Sequence, residues 1–186
     1  MIRSHTPLDE ACFMVGDALG RSGIVAVLTG GSAATVYAPQ AYQSDDMDFV
    51  LTFGPEGTGR AAEALGELGF RLRDGAYHHE NGVHIVEFPP GPLAVGDDLI
   101  HAWDTLTRDG RTLTILSPTD CVRNRLASYY YFRDRSALNA AVGVALAHRS
   151  RIDVELVRRW TLREASGSGE EARIVRMLHE FLDRLA

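Results

Sequence analysis

A pair of glycines between a predicted strand and a predicted helix constrains this chain more than any other feature of its sequence. Residues 24–28 form a short, continuous apolar run with β-branched side chains, which predicts a buried strand. Gly30 and Gly31 end this run, and Ser32 stands near the start of a short predicted helix. A turn without side chains lets backbone N–H groups approach a phosphate, and a helix N-terminus favours negative charge. We therefore predict that Gly30, Gly31 and Ser32 bind phosphate, with the Ser32 hydroxyl as an additional donor.

Two aspartates open the next predicted strand. Asp46 and Asp48 begin the apolar segment DMDFVLTF, which is ended by Gly54 and Pro55. Because these aspartates are two residues apart, their carboxylates point to the same face of a strand, where each raises the pKa of the other. A bound divalent cation removes that repulsion, and Mg²⁺ prefers hard oxygen ligands of this kind. The alternative is a pair of exposed acids at a strand edge. With the glycine turn beside it, the pair favours phosphoryl or nucleotidyl transfer.

The remaining pattern predicts a mixed α/β (α+β) fold with a helical C-terminal part. An amphipathic helix follows the second strand, and turns at Asn81-Gly82 and Asp109-Gly110 predict two hairpins. The segment PPGPLAVGDD, residues 89–98, predicts a rigid loop. Four helices are predicted after residue 117, over 118–132, 136–148, 154–165 and 170–185. We therefore predict an α/β domain over residues 1–117 and a helical subdomain over residues 118–186.

Composition excludes several classes of protein. The chain has 186 residues and a net charge of −6, and all 19 of its basic residues are arginine. The absence of lysine excludes a Schiff-base or P-loop lysine, and the acidic balance disfavours a nucleic-acid coat or a polybasic membrane binder. Cys12 and Cys121 have no metal-binding spacing and predict buried thiols in a reducing compartment. No apolar run reaches the ~18 residues of a membrane-spanning helix, so we predict a cytoplasmic protein with no membrane partner.

Three histidines lie close together in the predicted hairpin around Asn81-Gly82. His78, His79 and His84 match no zinc-ligand spacing, and adjacent residues on a strand point to opposite faces. They predict a polar edge of the sheet rather than a metal site.

Arginines concentrate in the first part of the helical tail. Arg123, Arg125, Arg133 and Arg135 carry positive charge in an otherwise acidic protein. Either they form a solvated helix face, or they bind a triphosphate or an RNA acceptor.

The motif from Gly30 to Phe49 resembles the signature of the DNA polymerase β-like nucleotidyltransferase superfamily. That signature has a Gly-Gly/Ser turn, a spacer of similar length and an Asp-hydrophobic-Asp-hydrophobic strand. The resemblance implies the minimal fold of the family, a mixed sheet with flanking helices, through about Ser117. It also implies an NTP substrate, Mg²⁺ or Mn²⁺ as cofactor, and a third carboxylate on a later strand. Glu87, the acidic residue of the run VHIVEF, is the candidate for that third metal ligand and catalytic carboxylate, where the family usually has Asp.

The segment after residue 115 resembles one branch of that superfamily, the abortive-infection and type IV toxin nucleotidyltransferases with their uncharacterised bacterial relatives. That branch has a Leu-Ser/Thr-Pro-Glu/Asp entry, a Lys-Leu pair and an Arg-Asp pair. The corresponding residues here are LSPTD at 116–120, Arg125-Leu126 and Arg133-Asp134. The resemblance implies that Arg125 contacts nucleotide phosphates in place of the lysine. It also implies a cognate toxin or antitoxin partner.

These features together predict a metal-dependent nucleotidyltransferase. Asp46, Asp48 and Glu87 are the predicted metal ligands and catalytic carboxylates, and Gly30, Gly31, Ser32 and Arg125 are the predicted nucleotide-binding residues. The enzyme would transfer an NMP group from an NTP to an acceptor hydroxyl on a tRNA, a protein or a small molecule. The alternative is a module with the same fold that binds nucleotide, or acts in a toxin–antitoxin pair, without turnover.

Overall fold

The computed structural model describes residues 1–52 and 57–186, and it confirms the predicted mixed α/β fold with helices at the C-terminus. The helices are α1 Leu8–Arg21, α2 Gly30–Tyr37, α3 Gly57–Glu67, α4 Pro118–Phe132, α5 Arg135–Ala147, α6 Val154–Ala165 and α7 Glu171–Asp183. The strands are β1 Ala26–Leu28, β2 Met47–Leu51, β3 Phe70–Arg73, β4 Ala76–His79, β5 Ile85–Glu87, β6 Ala94–Val95, β7 Asp98–Leu99, β8 Asp104–Arg108 and β9 Arg111–Ile115. The predicted strand end at Gly54 and Pro55 lies outside the described residues.

Seven of these strands form one mixed sheet in the order β3-β4-β5-β2-β1-β9-β8. The two predicted hairpins are present, because β4 pairs antiparallel with β5 and β8 pairs antiparallel with β9. At the centre, β1 pairs antiparallel with β2 and parallel with β9, while β2 also pairs parallel with β5. Strand β2, which carries Asp48, therefore lies in the interior of the sheet, where a residue has neighbours on both sides.

Helix α2 lies between the sheet and the helical tail. All eight of its residues are buried, and it contacts α1, β2, α4 and α5. A helix that is apolar all round is stable only when it is covered on every side. One core cluster contains residues from both sides of residue 117, and the division into a domain and a subdomain stays a prediction.

Several large side chains fill the core of the tail. Trp160 and Tyr130 are fully buried and stack with their ring centroids 6.1 Å apart. Cys12 and Cys121 are free and fully buried, as predicted, and burial raises the pKa of both thiols. In the part of the chain that the structure describes, no helix combines the length and the apolarity needed to cross a bilayer.

Two expectations about the middle of the chain are wrong. The segment predicted as a rigid loop contains a second, small sheet, in which β6 pairs antiparallel with β7. The histidine cluster is not a polar edge, because His79 and His84 are buried. Their Nε2 atoms lie 2.8 Å from the carbonyl oxygen of Leu68 and 2.9 Å from that of Thr6, respectively. Long-range carbonyl partners of this kind make burial of an imidazole possible, and local spacing does not reveal them.

Candidate active site

Three predicted carboxylates converge at the N-terminal end of β2. Asp48 on β2 is the register partner of Glu87 on β5, and parallel pairing places both side chains on the same face of the sheet. Asp46 precedes the strand by one residue. One carboxylate oxygen from each residue lies within 4.8 Å of one from each of the others. Asp46 and Asp48 are half-buried, whereas Glu87 is exposed to solvent.

The electrostatics of this cluster are unfavourable without a cation. Burial, followed by the charges of Asp46 and Glu87, raises the pKa of Asp48 to about 6, and the charge of Arg125 opposes the shift. Within residues 1–52 and 57–186, the ion pairs include none that involves Asp46, Asp48 or Glu87. Carboxylates that crowd together without ion-pair partners favour a bound divalent cation, which would neutralise them together.

The two glycines let Asp48 and Ser44 approach the start of α2. Gly30 has a φ of +65°, and a Cβ atom at this position would overlap Oδ2 of Asp48 and lie 3.0 Å from its Cγ. At Gly31 a Cβ atom would lie 2.6 Å from Oγ of Ser44, which in turn donates a hydrogen bond to Oδ1 of Asp46 at 3.2 Å. Gly30 therefore makes room for Asp48, and Gly31 makes room for Ser44, the hydrogen-bond partner of Asp46. This constraint is separate from the predicted contact with phosphate.

Ser32 occupies a different environment from the one that phosphate binding requires. Its side chain is fully buried, and its hydroxyl donates to the carbonyl oxygen of Thr29 at 2.9 Å. The same hydroxyl oxygen accepts a hydrogen bond from the backbone N–H of Asp48 at 3.1 Å. In this arrangement its single proton is already used, so it has none to donate to a phosphate. Ser32 instead connects the first turn of α2 to β2 at the residue that carries the central carboxylate.

A cleft of about 270 Å³ opens beside the carboxylates, and Arg125 lines it. The polar part of its wall consists of Thr29, Gly30, Asp48, Asn124 and Arg125, and the apolar part of Val50, Pro89, Pro90, Pro92, Leu93 and Ala94. The structure thus brings Arg125, from the helical tail, to the same cleft as Gly30 and Asp48.

Sequence reasoning missed Asn124, and it predicted the proline-rich segment as a loop without connecting it to the site. Asn124 Oδ1 accepts hydrogen bonds from Nε and Nη2 of Arg125, at 3.1 and 2.7 Å, and so orients the guanidinium group. The signal for the wall was present in the sequence, because a single phenylalanine separates Glu87 from the run PPGP. Prolines so close to a candidate metal ligand indicate a fixed loop beside the site.

Comparisons with known proteins support the fold. No protein-family model and no curated protein matches this sequence. The structure is similar to an antigenic nucleotidyltransferase-like protein from Paracoccidioides brasiliensis, with a TM-score of 0.50 and 14% identity, over 97% of this chain and 78% of that one. The antibiotic-resistance factor ANT(2'')-Ia gives a TM-score of 0.49 for its solution structure, at 15% identity, over 91% of this chain and 94% of its own. Its crystal structure with adenylyl-2''-tobramycin gives a TM-score of 0.43, at 16% identity, over 96% of this chain and 98% of that one.

The expected relationship to the abortive-infection and type IV toxin branch stays a prediction, because these comparisons do not bear on it. What the likeness to the Paracoccidioides protein does show is the architecture: this chain has a nucleotidyltransferase-like fold.

Proposed function

We propose that this protein is a metal-dependent nucleotidyltransferase that transfers an NMP group from an NTP to an acceptor hydroxyl. One observation carries the proposal. Three carboxylates converge beside a glycine turn that lies at the start of a helix, and an arginine lines the same cleft. This is the combination of groups that an NTP with its divalent cations requires. The fold supports the same reading.

The residues present fit divalent cations such as Mg²⁺ or Mn²⁺. Asp46, Asp48 and Glu87 would hold them, because all three offer hard carboxylate oxygens and because burial and its two acidic neighbours raise the pKa of Asp48. When bound, such cations supply charge neutralisation at the phosphates and at the acceptor oxygen.

Other groups of the cleft bind and orient the nucleotide. The first backbone N–H groups of α2, at Gly30 and Gly31, have no partner within the helix and favour an anion. The guanidinium group of Arg125 pairs with phosphate oxygens, while the apolar wall at Pro90, Pro92 and Leu93 covers the less polar part of the nucleotide.

Transfer joins the acceptor oxygen to the α-phosphorus and breaks the bond from that phosphorus to the oxygen bridging to the β-phosphate. Pyrophosphate leaves, and the hydroxyl proton passes to a base. Glu87 is the most exposed of the three carboxylates and faces the solvent from which an acceptor arrives, so we assign it the role nearest the acceptor. The acceptor is a hydroxyl of an RNA such as tRNA, of a protein or of a small molecule. A cytoplasmic location and a toxin or antitoxin partner stay predictions.

The direct test is transfer of an α-labelled NMP group. The protein is incubated with each of the four labelled NTPs, Mg²⁺ or Mn²⁺, and pools of tRNA, protein and small hydroxyl compounds. We expect labelled product with at least one acceptor and none in EDTA. Nucleotide-dependent thermal stabilisation that needs Mg²⁺ but gives no product would instead favour the alternative module, and neither stabilisation nor product would reject both.

Replacing Arg125 with methionine tests the role of the guanidinium group in nucleotide binding. We expect KM for NTP to rise about 10- to 100-fold, because a charge-assisted phosphate contact is lost while much of the length of the side chain is kept. Steady-state kinetics at saturating acceptor measure the change. Arg159→Met, at an exposed position on α6, is the matched control and should leave KM unchanged. An unchanged KM in Arg125→Met would remove Arg125 from the site.

A further inference from the structure

The small β6–β7 hairpin continues the apolar wall of the nucleotide cleft and shares Ala94 with it. Leu93 and Ala94, which line the cleft, lead directly into the hairpin. The backbone N–H of Ile100 donates to the carbonyl oxygen of Leu93 at 2.9 Å and closes the hairpin at the end away from its turn. Two strands of two residues each have little stability of their own. The position of this wall must therefore depend on what holds the hairpin in place.

The hairpin is fastened to the tail by a nearly buried arginine on α4. Arg123 is only 3% exposed, and its guanidinium group pairs with Asp98 on β7. Its other Nη atom donates to Oδ1 of Asp120 at 2.7 Å, and its Cζ atom lies 5.1 Å from the ring centroid of Trp160. Asp98 also pairs with Arg163 on α6, at 2.7 Å. Two arginines and two aspartates give a cluster of balanced charge, in which the buried guanidinium group of Arg123 is paired with both carboxylates.

A second set of contacts holds the tip of the same hairpin. The backbone N–H of Asp97 donates to Oε1 of Glu164 at 3.2 Å, and the hydroxyl of Tyr131 donates to the other carboxylate oxygen at 2.6 Å. Gly96, with a φ of +58°, packs so close to Glu164 that a Cβ atom would overlap its carboxylate. Three successive residues of the hairpin thus contact charged side chains of the tail: Gly96 and the backbone of Asp97 contact Glu164, and Asp98 pairs with Arg123 and Arg163.

We propose that Arg123 and Asp98 are positioning residues that set the apolar wall of the nucleotide cleft against Arg125. Arg123 and Arg125 lie two residues apart on α4, so this one helix places the phosphate-binding cation and, through Asp98, the apolar wall that continues into the hairpin. The cleft is thereby assembled across the junction between the sheet and the tail. This inference rests on the proposed nucleotide site.

Two substitutions separate positioning from simple stability. Asp98→Asn and Asp120→Asn each remove a carboxylate from the same buried arginine, but only the first loosens the hairpin. Both variants are expected to melt at a lower temperature than wild type, since each leaves the arginine underpaired. We expect only Asp98→Asn to raise KM for NTP, by about tenfold with kcat within about twofold of wild type, because the wall contacts nucleotide in both ground and transition states.

Hydrogen exchange on the nucleotide-free protein gives a readout that does not depend on turnover. The amide of Ile100 should exchange at least about tenfold faster in Asp98→Asn than in Asp120→Asn. If Asp98→Asn does not fold, Arg163→Gln removes the more exposed partner of Asp98 and should shift both readouts in the same direction. An unchanged KM and unchanged exchange in Asp98→Asn, or an equal rise of KM in Asp120→Asn, would overturn the proposal.

The same experiment distinguishes failure of this inference from failure of the proposed function. If wild type binds NTP without turnover, dissociation constants replace KM, and a weaker affinity confined to Asp98→Asn still supports the positioning role. If wild type binds no NTP, the proposed function and this inference are both rejected.

Discussion

Replacing Gly30 with alanine is expected to lower kcat/KM for NMP transfer by at least about 100-fold, the cost of misplacing catalytic groups by a fraction of an ångström to an ångström. The methyl group would occupy the space of the Asp48 carboxylate, which must then move away from Asp46 and Glu87. The residue would also keep a φ of +65°, which for a side chain other than glycine costs about 1–3 kcal/mol. Activity and stability should therefore fall together.

Steady-state kinetics and urea unfolding measure the two effects. Gly20→Ala is the matched control, because Gly20 lies in helix α1, is exposed and has no neighbouring atom within 4 Å of the place that a methyl group would take. That substitution should keep full activity and add about 0.5–1 kcal/mol to the free energy of unfolding, the usual gain from alanine in a helix. Full activity in Gly30→Ala would show that the close approach of Asp48 to the glycine turn is not needed for the reaction.

Asp48→Asn is expected to abolish transfer and at the same time to stabilise the metal-free protein. Activity should fall about 1,000-fold, since the central carboxylate of the cluster is lost. The stabilisation follows from the pKa of Asp48, which is about 6 in the folded protein against an ordinary value of 3.8. Between these values the folded state binds more protons than the unfolded state, so the free energy of unfolding of wild type falls as pH rises.

The direction of the pKa shift of Asp48 determines the pH values at which the two proteins are compared. Well below the ordinary pKa of Asp48, the folded and the unfolded protein both hold its proton, so ionisation of Asp48 costs no stability. Above the folded-state pKa, Asp48 is ionised in both states and the loss of stability is complete. In EDTA, the free energy of unfolding of Asp48→Asn should therefore exceed that of wild type by about 1–3 kcal/mol at a pH of about 7.5. The difference should be much smaller at a pH of about 4.5. Addition of Mg²⁺ should stabilise wild type and leave Asp48→Asn almost unchanged, because only wild type has the full set of carboxylates.

Asp45→Asn is the control for the change in net charge. Asp45 is adjacent in sequence to Asp46 but exposed, and it is outside the carboxylate cluster. The free energies of unfolding of Asp45→Asn and wild type should differ by the same amount at a pH of about 4.5 and at a pH of about 7.5. If Asp48→Asn is no more stable than wild type at the higher pH in EDTA, burial and the charges of Asp46 and Glu87 do not raise the pKa of Asp48 as the structure implies.

The predictable part of the candidate site comes from short stretches of chain. Gly30 and Gly31 end a strand that local apolar character identifies, and Asp46 and Asp48 share a face because of their spacing alone. Helices α4 and α6 begin and end at the predicted residues. Their starts are fixed by Ser117 and Asp153, N-cap residues whose side chains accept a hydrogen bond from a backbone N–H of the first turn. Glu87 and Arg125 came only from a resemblance to known motifs.

Other features depend on pairing between distant segments. The hydroxyl of Ser32 was predicted to donate to a phosphate, but its proton goes to the carbonyl oxygen of Thr29, and its oxygen accepts from the N–H of Asp48 on the neighbouring strand β2. His79 and His84 are buried because carbonyl groups at Leu68 and Thr6 reach them. No spacing rule identifies partners that lie 11 and 78 residues away along the chain.

The sequence by itself thus determined the chemistry of the candidate site: a glycine turn, carboxylates at strand spacing and an arginine in place of lysine. Only the tertiary structure decided how these groups face one another. The register of β2 against β5 aligns Asp48 with Glu87, and the ion pair of the buried Arg123 with the half-buried Asp98 joins the hairpin beside the cleft to α4. The physical reason is range: turn geometry and side-chain alternation act over a few residues, whereas strand register and buried ion pairs exist only once remote segments have packed together.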